Sequence, residues 1–246
     1  MRKILLFILS TLALFGAEIK IAVAANVSYA MDELIYSFNI KYPNIKVLPV
    51  FSSSGNLSAQ IQNKAPFGLF LSANMKYPEK LYDLGLASLK PVVYAKGSLA
   101  LFSRKGYGMD GNLSFLNEDK IKSISIANPK TAPYGKASLD ALNGANMYKK
   151  VNKKLVYAQN VSSSFVYALN VADVGFVAKS SLFSPKVRDK NLKYIDVNPR
   201  LYTPIEQGII MIKDFEKNPH VRVFYDFILS QDAKKIFKKY GYLVDE

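Results

Sequence analysis

Short apolar runs alternate with segments of helical periodicity along most of this 246-residue chain. The first such stretch opens with the strand-like run 19–24, followed by a helical stripe at 27–38, where apolar residues recur three and four positions apart. The β-rich run 46–51, a short helix at 57–62 and the strand-like run 69–71 come next. Strands joined by helices align in parallel, so this pattern predicts a parallel sheet flanked by helices.

The same plan returns in the middle of the chain. Strand-like runs at 123–127, 155–158 and 174–177 are separated by helical segments at 136–142 and 165–172. Two blocks built in this way predict an α/β protein with two lobes, each a mainly parallel sheet flanked by helices.

Two extended β-rich runs without helical periodicity, 91–102 and 202–213, bracket the second block. We expect them to be two hinge crossings, which carry the chain from one lobe to the other and back. The predicted division assigns 18–95 with 203–246 to lobe 1 and 96–202 to lobe 2. Two amphipathic helices close the chain in lobe 1.

The N-terminus has the pattern of a secretory signal peptide. The leader 1–17 begins with Arg2 and Lys3, continues with the apolar run 4–15 and ends in small residues. Its apolar run is shorter than the roughly 20 residues that a transmembrane helix needs. We therefore expect export, removal of the leader and a soluble mature protein in the periplasm.

The residue composition excludes several kinds of site. The chain has no cysteine, so disulfides, thiolate metal ligands and cysteine nucleophiles are ruled out. Its single histidine argues against histidine metal sites and Ser-His-Asp relays. The formal net charge is +14, and most of the excess falls in residues 96–202, which indicates an anionic partner.

Four places share one local pattern, in which a predicted strand ends in a short polar loop at the start of a helix. In an open α/β sheet such loops lie at the carboxyl ends of the strands, and helix N-termini attract anions through unpaired N–H groups. Closure of the lobes would bring all four loops onto one small anion, with Asn26 and Ser54 adding side-chain donors. Serine and asparagine are also ordinary helix caps, so a purely structural role stays open. The loops are 24–28, 52–56, 128–135 and 159–164.

The second of these loops opens a longer motif. The letters SSGNL, QI, AP and LFLSA stand at 53–57, 60–61, 65–66 and 69–73. They resemble the signature SSSGxLxxQI…APxDLFxSA of periplasmic molybdate-binding proteins, the substrate-binding subunits of molybdate ABC importers. Gly68 stands where the motif has Asp. The resemblance implies a two-lobed periplasmic binding protein of type II.

Further similarity at 25–31, 128–135 and 224–242 extends the resemblance over essentially the whole mature chain. Carried over by position, the oxyanion ligands of the family fall on four residues, one on each of the loops found above. Asn26 would donate through its amide and N–H, Ser54 through its hydroxyl and N–H, and Val161 through its N–H alone. Tyr134 would offer its N–H and its phenol.

Ser53 and Ala178 are secondary candidates. Ala178 occupies a position where some relatives provide a further tyrosine hydroxyl, for which Tyr134 is the expected substitute. The resemblance implies no cofactor. It also implies that the four ligand residues hold a metal only in the form of the molybdate or tungstate oxyanion.

The resemblance also implies the mode of action. We expect a monomer that captures molybdate, and tungstate as well, between its lobes and delivers it to an ABC transporter permease. Neutral donors would reject a protonated phosphate, whose hydroxyl finds no acceptor, whereas sulfate must be rejected by its size. The expected protein is not an enzyme and binds no nucleic acid.

Three other functions stay open on the residues alone. The first is a binding protein for sulfate or phosphate. The second is an exported enzyme acting on an anionic substrate, although Asp140 and Asp173 have no recognisable catalytic partner and His220 is far from every loop. The third is a nucleic-acid or membrane-surface binder, for which the lysines in 149–154 are the best patch, although they also fit a solvated helix end.

Overall fold

The computed structural model describes residues 17–109, 113–184, 187 and 193–245. The predicted leader falls on residues 1–16, which lie outside the described residues, and on Ala17, which begins the first strand. No helix in the described ranges is long and apolar enough to cross a membrane.

Strands and helices alternate in both halves of the described chain. The strands are β1 (Ala17–Ala24), β2 (Ile45–Ser52), β3 (Leu69–Leu71), β4 (Val92–Gly97), β5 (Leu99–Ser103), β6 (Ile124–Ala127), β7 (Leu155–Ala158), β8 (Val174–Ala178), β9 (Lys193–Asp196) and β10 (Ile205–Met211). The helices are α1 (Ser28–Lys41), α2 (Ser54–Gln62), α3 (Lys76–Asp83), α4 (Pro133–Gly144), α5 (Tyr148–Val151), α6 (Val161–Asn170), α7 (Pro219–Ile228) and α8 (Gln231–Lys239).

The first sheet has the strand order β2-β1-β3-β10-β4. Strand β10 runs antiparallel to both of its neighbours, so the other four described strands point the same way. Apolar side chains of β1 alternate between two cores because successive residues of a strand face opposite sides. One core joins Phe38 of α1 to Phe224 of α7 and Phe237 of α8, and the other contains Leu57 of α2 and Leu81 of α3.

The second sheet repeats this arrangement with the order β7-β6-β8-β5-β9. Here β5 is the strand that runs antiparallel to its neighbours. Helix α4 packs on one face through Ala141 and Leu142, and helix α6 packs on the other through Phe165 and Ala168. The predicted α/β fold with two mainly parallel sheets flanked by helices is confirmed.

The chain passes between the sheets twice. Strand β4 ends at Gly97 in the first sheet and β5 begins at Leu99 in the second, so the predicted extended run 91–102 is two strands. The return passage lies between Asp196 and Ile205. Below, the first lobe means the first sheet with α1–α3, α7 and α8, and the second lobe means the second sheet with α4–α6. The residue boundaries derived above for the two lobes stay a prediction.

Helices α4 and α6 begin earlier than the apolar periodicity indicates. Pro133 occupies the first turn of α4, where its missing N–H costs no hydrogen bond. Asn160 caps α6 by accepting a hydrogen bond at 2.9 Å from the backbone N–H of Ser163. Both helices begin at the end of the loop that follows β6 or β7, at the carboxyl edge of the second sheet.

Candidate functional site

The four polar loops meet at one small cavity between the two lobes. Each loop follows the carboxyl end of a strand, namely β1, β2, β6 or β7. All four predicted ligand residues therefore lie together with Ser53, although they come from distant parts of the sequence. The residues lining the cavity are Ala24, Ala25, Asn26, Ser52, Ser53, Ser54, Ala73, Ala132, Pro133, Tyr134, Asn160 and Val161.

Backbone donors dominate this cavity. Helices α2, α4 and α6 all begin at it, and the first N–H groups of a helix have no partner within the helix. In the described part of the chain, no hydrogen-bond acceptor is recorded for the backbone N–H of Ser54, Tyr134 or Val161. The lining contains no charged side chain. The cavity is therefore suited to a small anion held by neutral dipoles.

Ser54 and Ser53 add hydroxyl groups to this wall. Ser54 is fully buried, and its Oγ accepts a hydrogen bond at 2.9 Å from the backbone N–H of Ala73. That bond occupies an acceptor position and leaves the hydroxyl proton of Ser54 available for donation. Ser53 is also buried, and its Oγ has no hydrogen-bond partner among the described residues.

Asn26 is buried and uses its amide within the protein. Its Nδ2 donates to Oε1 of Gln207 and to Oη of Tyr242, both at 2.8 Å. Its backbone oxygen accepts from Oγ of Ser180 and from Oη of Tyr242, both at 2.9 Å. Its Oδ1 is buried without a hydrogen-bond partner in the described part of the chain. In this orientation the amide protons of Asn26 are directed to protein acceptors.

The phenol of Tyr134 lies away from the helix start that carries its N–H group. Its Oη is 3.5 Å from Nε2 of Gln207 and packs against Gly97 at the first passage between the lobes. Burial raises the pKa of Tyr134 well above the ordinary tyrosine value, so the phenol is neutral. Tyr134 therefore offers its N–H to the cavity while its hydroxyl contacts Gln207.

Ala178 does not line the cavity. It ends strand β8, and its carbonyl oxygen accepts a hydrogen bond at 2.7 Å from Oγ of Ser181. The neighbouring Ser180 reaches Asn26 instead. The sequence reasoning missed Gln207 and Tyr242, which hold Asn26. The only signal for Gln207 was an uncharged polar residue directly before the apolar run 208–212, whereas Tyr242 had none.

The loops of the two lobes contact each other around the cavity. The backbone N–H of Gly55 in the first lobe donates at 2.9 Å to the carbonyl oxygen of Thr131 in the second. On another side, Oγ of Ser162 donates at 2.8 Å to the carbonyl oxygen of Ala25. These hydrogen bonds join the lobes at the rim, so the donors from both lobes face one shared space.

The acidic residues considered for catalysis have structural roles elsewhere. Asp173 accepts hydrogen bonds from Oη of Tyr107 and from the backbone N–H groups of Lys122 and Ser123. Burial alone would raise the pKa of Asp173, but these hydrogen bonds outweigh it and lower the pKa well below the usual value. Asp140 pairs with Lys136 on α4. Neither aspartate lines the cavity.

Comparison with known proteins finds a matching family and similar proteins of known name. Residues 19–243 match the family model described as bacterial extracellular solute-binding protein. The chain is 33% identical to the molybdate-binding protein ModA of Azotobacter vinelandii, with 92% of this chain and 90% of that protein covered. It is 32% identical to the ModA protein of Rhodobacter capsulatus, with 94% and 90% covered.

A solved structure agrees with this result. The periplasmic molybdate-binding protein of Azotobacter vinelandii superposes with a TM-score of 0.86 at 28% sequence identity. The match covers 93% of this chain and 100% of that one.

Proposed function

Since the chain belongs to the bacterial extracellular solute-binding protein family, we propose that it binds molybdate between its lobes and delivers it to the permease of an ABC importer. The observation that carries this proposal is the convergence of unpaired backbone donors from both lobes on one small cavity without a charged side chain. The named relatives supply the identity of the anion. The solved relative is a periplasmic protein, and the periplasm is the location we expect here.

The proposed ligands are the backbone N–H groups of Ser54, Tyr134 and Val161, the hydroxyl of Ser54 and groups of Asn26. Ser53 contributes its unpaired hydroxyl. A hydrogen bond to a charged group contributes roughly 1.5–3 kcal/mol, and sub-micromolar binding requires about −8 kcal/mol. About three to six such bonds therefore supply this free energy, with no cation and no cofactor.

Selectivity follows from the use of donors alone. A protonated phosphate would bring a hydroxyl group that finds no acceptor among the ligands, at a cost of about 1–3 kcal/mol. Sulfate carries no such proton and is smaller than molybdate, so it makes longer and weaker contacts in the same cavity. Tungstate is nearly equal to molybdate in size, and we propose that it binds equally well.

Capture combines long-range attraction with closure. The excess of basic residues in the second lobe raises the local concentration of anions, although no lysine or arginine lines the cavity. Closure then brings the donors of the second lobe to an anion already held by the first. The contact from Gly55 to Thr131 forms at the same step.

The test is titration calorimetry on the protein without residues 1–17, with molybdate, tungstate, sulfate and phosphate as separate titrants. We expect sub-micromolar binding of molybdate and tungstate and at least about 100-fold weaker binding of sulfate and phosphate, because two or more contacts are weakened or unmatched. Binding of sulfate or phosphate without binding of molybdate would refute the proposal.

Replacing Ser54 with alanine isolates one side-chain donor. We expect molybdate affinity to fall by at least about 1 kcal/mol, or about fivefold, because one donor to the anion is lost. The matched control is Ser58→Ala, since Ser58 is equally buried on the same helix but does not line the cavity. Calorimetry should show unchanged affinity for the control. Equal affinity of the Ser54 variant and the wild type would remove the Ser54 hydroxyl from the ligand set.

A further inference from the structure

Two carboxamide side chains are buried against each other beside the cavity. Apart from serines and tyrosines, Asn26 and Gln207 are the only buried residues with polar side chains in the described part of the chain. Oε1 of Gln207 accepts from Nδ2 of Asn26 at 2.8 Å, and Gln207 itself has no exposed surface. Gln207 lies in β10, at a break in the pairing register with β4. The atom of the Gln207 carboxamide that faces Asn26 therefore decides which atom of the Asn26 amide can pair with it.

The orientation of this pair conflicts with anion binding. Nδ2 of Asn26 donates to Gln207 and Tyr242, so the remaining polar atom of the side chain is the unpaired acceptor Oδ1. Asn26 lines the cavity that we propose for a dianion. A buried acceptor beside a dianion is repelled, whereas an amide NH₂ in the same place would donate two hydrogen bonds.

Rotation of the Asn26 amide by 180° about its Cβ–Cγ bond removes this conflict. Oδ1 would then face Gln207 and Tyr242, and Nδ2 would take the unpaired position. The hydroxyl of Tyr242 would donate to Oδ1, because Ser180 already donates to the backbone oxygen of Asn26. Gln207 must rotate as well, since its Oε1 would otherwise face another oxygen.

The surroundings of Gln207 allow that second rotation. After it, Nε2 of Gln207 would donate to Oδ1 of Asn26, and Oε1 would accept from the hydroxyl of Tyr134, which now lies 3.5 Å from Nε2. Tyr94, whose hydroxyl donates to Oε1 at 3.3 Å, would become an acceptor for Nε2. A hydroxyl group can donate or accept, so only the two carboxamides and the hydroxyl hydrogens have to turn.

We propose that Gln207 is a positioning residue whose carboxamide rotates together with that of Asn26, and so presents the Asn26 NH₂ group to the bound anion. The inference rests on the proposed function, since it concerns the same anion in the same cavity. A glutamine is required because one side chain must offer an acceptor to Asn26 in one orientation and a donor in the other. Because Gln207 also contacts Tyr134, the rotation links a ligand of the first lobe to one of the second.

A double-mutant cycle on molybdate affinity tests whether Gln207 acts through Asn26. Gln207→Met keeps the length of the side chain and removes both polar atoms. We expect it to weaken molybdate binding about tenfold in the wild-type background and to have no effect in the Asn26→Ala background. Equal losses in both backgrounds would mean a structural role and would overturn the inference. Wild-type protein that does not bind molybdate would instead overturn the proposed function.

Nuclear magnetic resonance of the wild-type protein tests the rotation without any substitution. A scalar coupling across the hydrogen bond should connect Nδ2 of Asn26 with Cδ of Gln207 before molybdate is added. In the molybdate complex it should connect Nε2 of Gln207 with Cγ of Asn26. Persistence of the first coupling in the complex would overturn the inference while leaving the proposed function intact.

Discussion

Alanine at position 55 will abolish tight molybdate binding without unfolding the protein. A Cβ added to Gly55 would lie 2.9 Å from the carbonyl oxygen and 3.0 Å from the Cα of Thr131, which belongs to the other lobe. It would also lie 2.7 Å from Oη of Tyr77, the end of a half-buried side chain that can turn aside. Each lobe by itself therefore accepts the methyl group, but the contact between them does not.

The size of this effect follows from the donors that closure supplies. Without closure, the anion loses its hydrogen bonds to the N–H groups of Tyr134 and Val161. Each of these bonds contributes roughly 1.5–3 kcal/mol to binding. Calorimetry should show affinity reduced by at least about 100-fold, and X-ray scattering should show no contraction on addition of molybdate. The melting temperature without molybdate should match that of the wild type. Wild-type affinity in this variant would mean that closure does not bring Gly55 onto Thr131.

Alanine at position 135 will lower both stability and binding. Gly135 lies in the first turn of α4, and an added Cβ would overlap the carbonyl oxygen of Ala127 and lie 2.9 Å from the carbonyl carbon of Asn128. Both contacts are with backbone at the end of β6, which cannot move aside as a side chain can. The start of α4 must therefore shift away from the sheet, and the Tyr134 N–H shifts with it.

Overpacking of this kind typically lowers the free energy of unfolding by about 1–3 kcal/mol. We expect about 3 kcal/mol for Gly135→Ala, because the contacts are with backbone atoms. Thermal unfolding should show a melting temperature lowered by about 6–12 °C, since each kcal/mol corresponds to roughly 2–4 °C at this chain length. Gly144→Ala, at the other end of α4, is the milder comparison for both glycine variants, because its nearest contact, the carbonyl oxygen of Leu201, is 3.2 Å away and has to shift by only a few tenths of an ångström. A Gly135 variant as stable as the Gly144 variant would contradict the packing of α4 on β6.

The fold and the four cavity loops were accessible from the sequence because their signals are local. Apolar periodicity identifies most of the strands and helices within a few residues, although α3 and β9 were not predicted. A polar loop between a strand and a helix marks one edge of a sheet. The order of strands then places those loops together. Asn160 and Pro133 show the limit of periodicity, since both belong to helix starts whose first turns carry few apolar residues.

The support behind the cavity was not accessible, because it depends on contacts between distant residues. Gln207 is 181 positions from Asn26, and Tyr242 is 216 positions from it. No local pattern predicts such a pairing. Gly68, which departs from the family motif, has a similar long-range cause. A Cβ added there would lie 2.6 Å from Cγ2 of Val221 in α7.

The place of β10 in the first sheet has a consequence for biosynthesis. This strand lies between β3 and β4, yet it is translated after every strand of the second sheet. The second sheet is continuous in sequence and can assemble while the first still lacks an inner strand. Because pairing of β10 with β3 closes a long loop, it is an entropically costly late step. Until then β3 and β4 have unpaired edges, which makes the first lobe the half of a newly made molecule most exposed to aggregation and proteolysis.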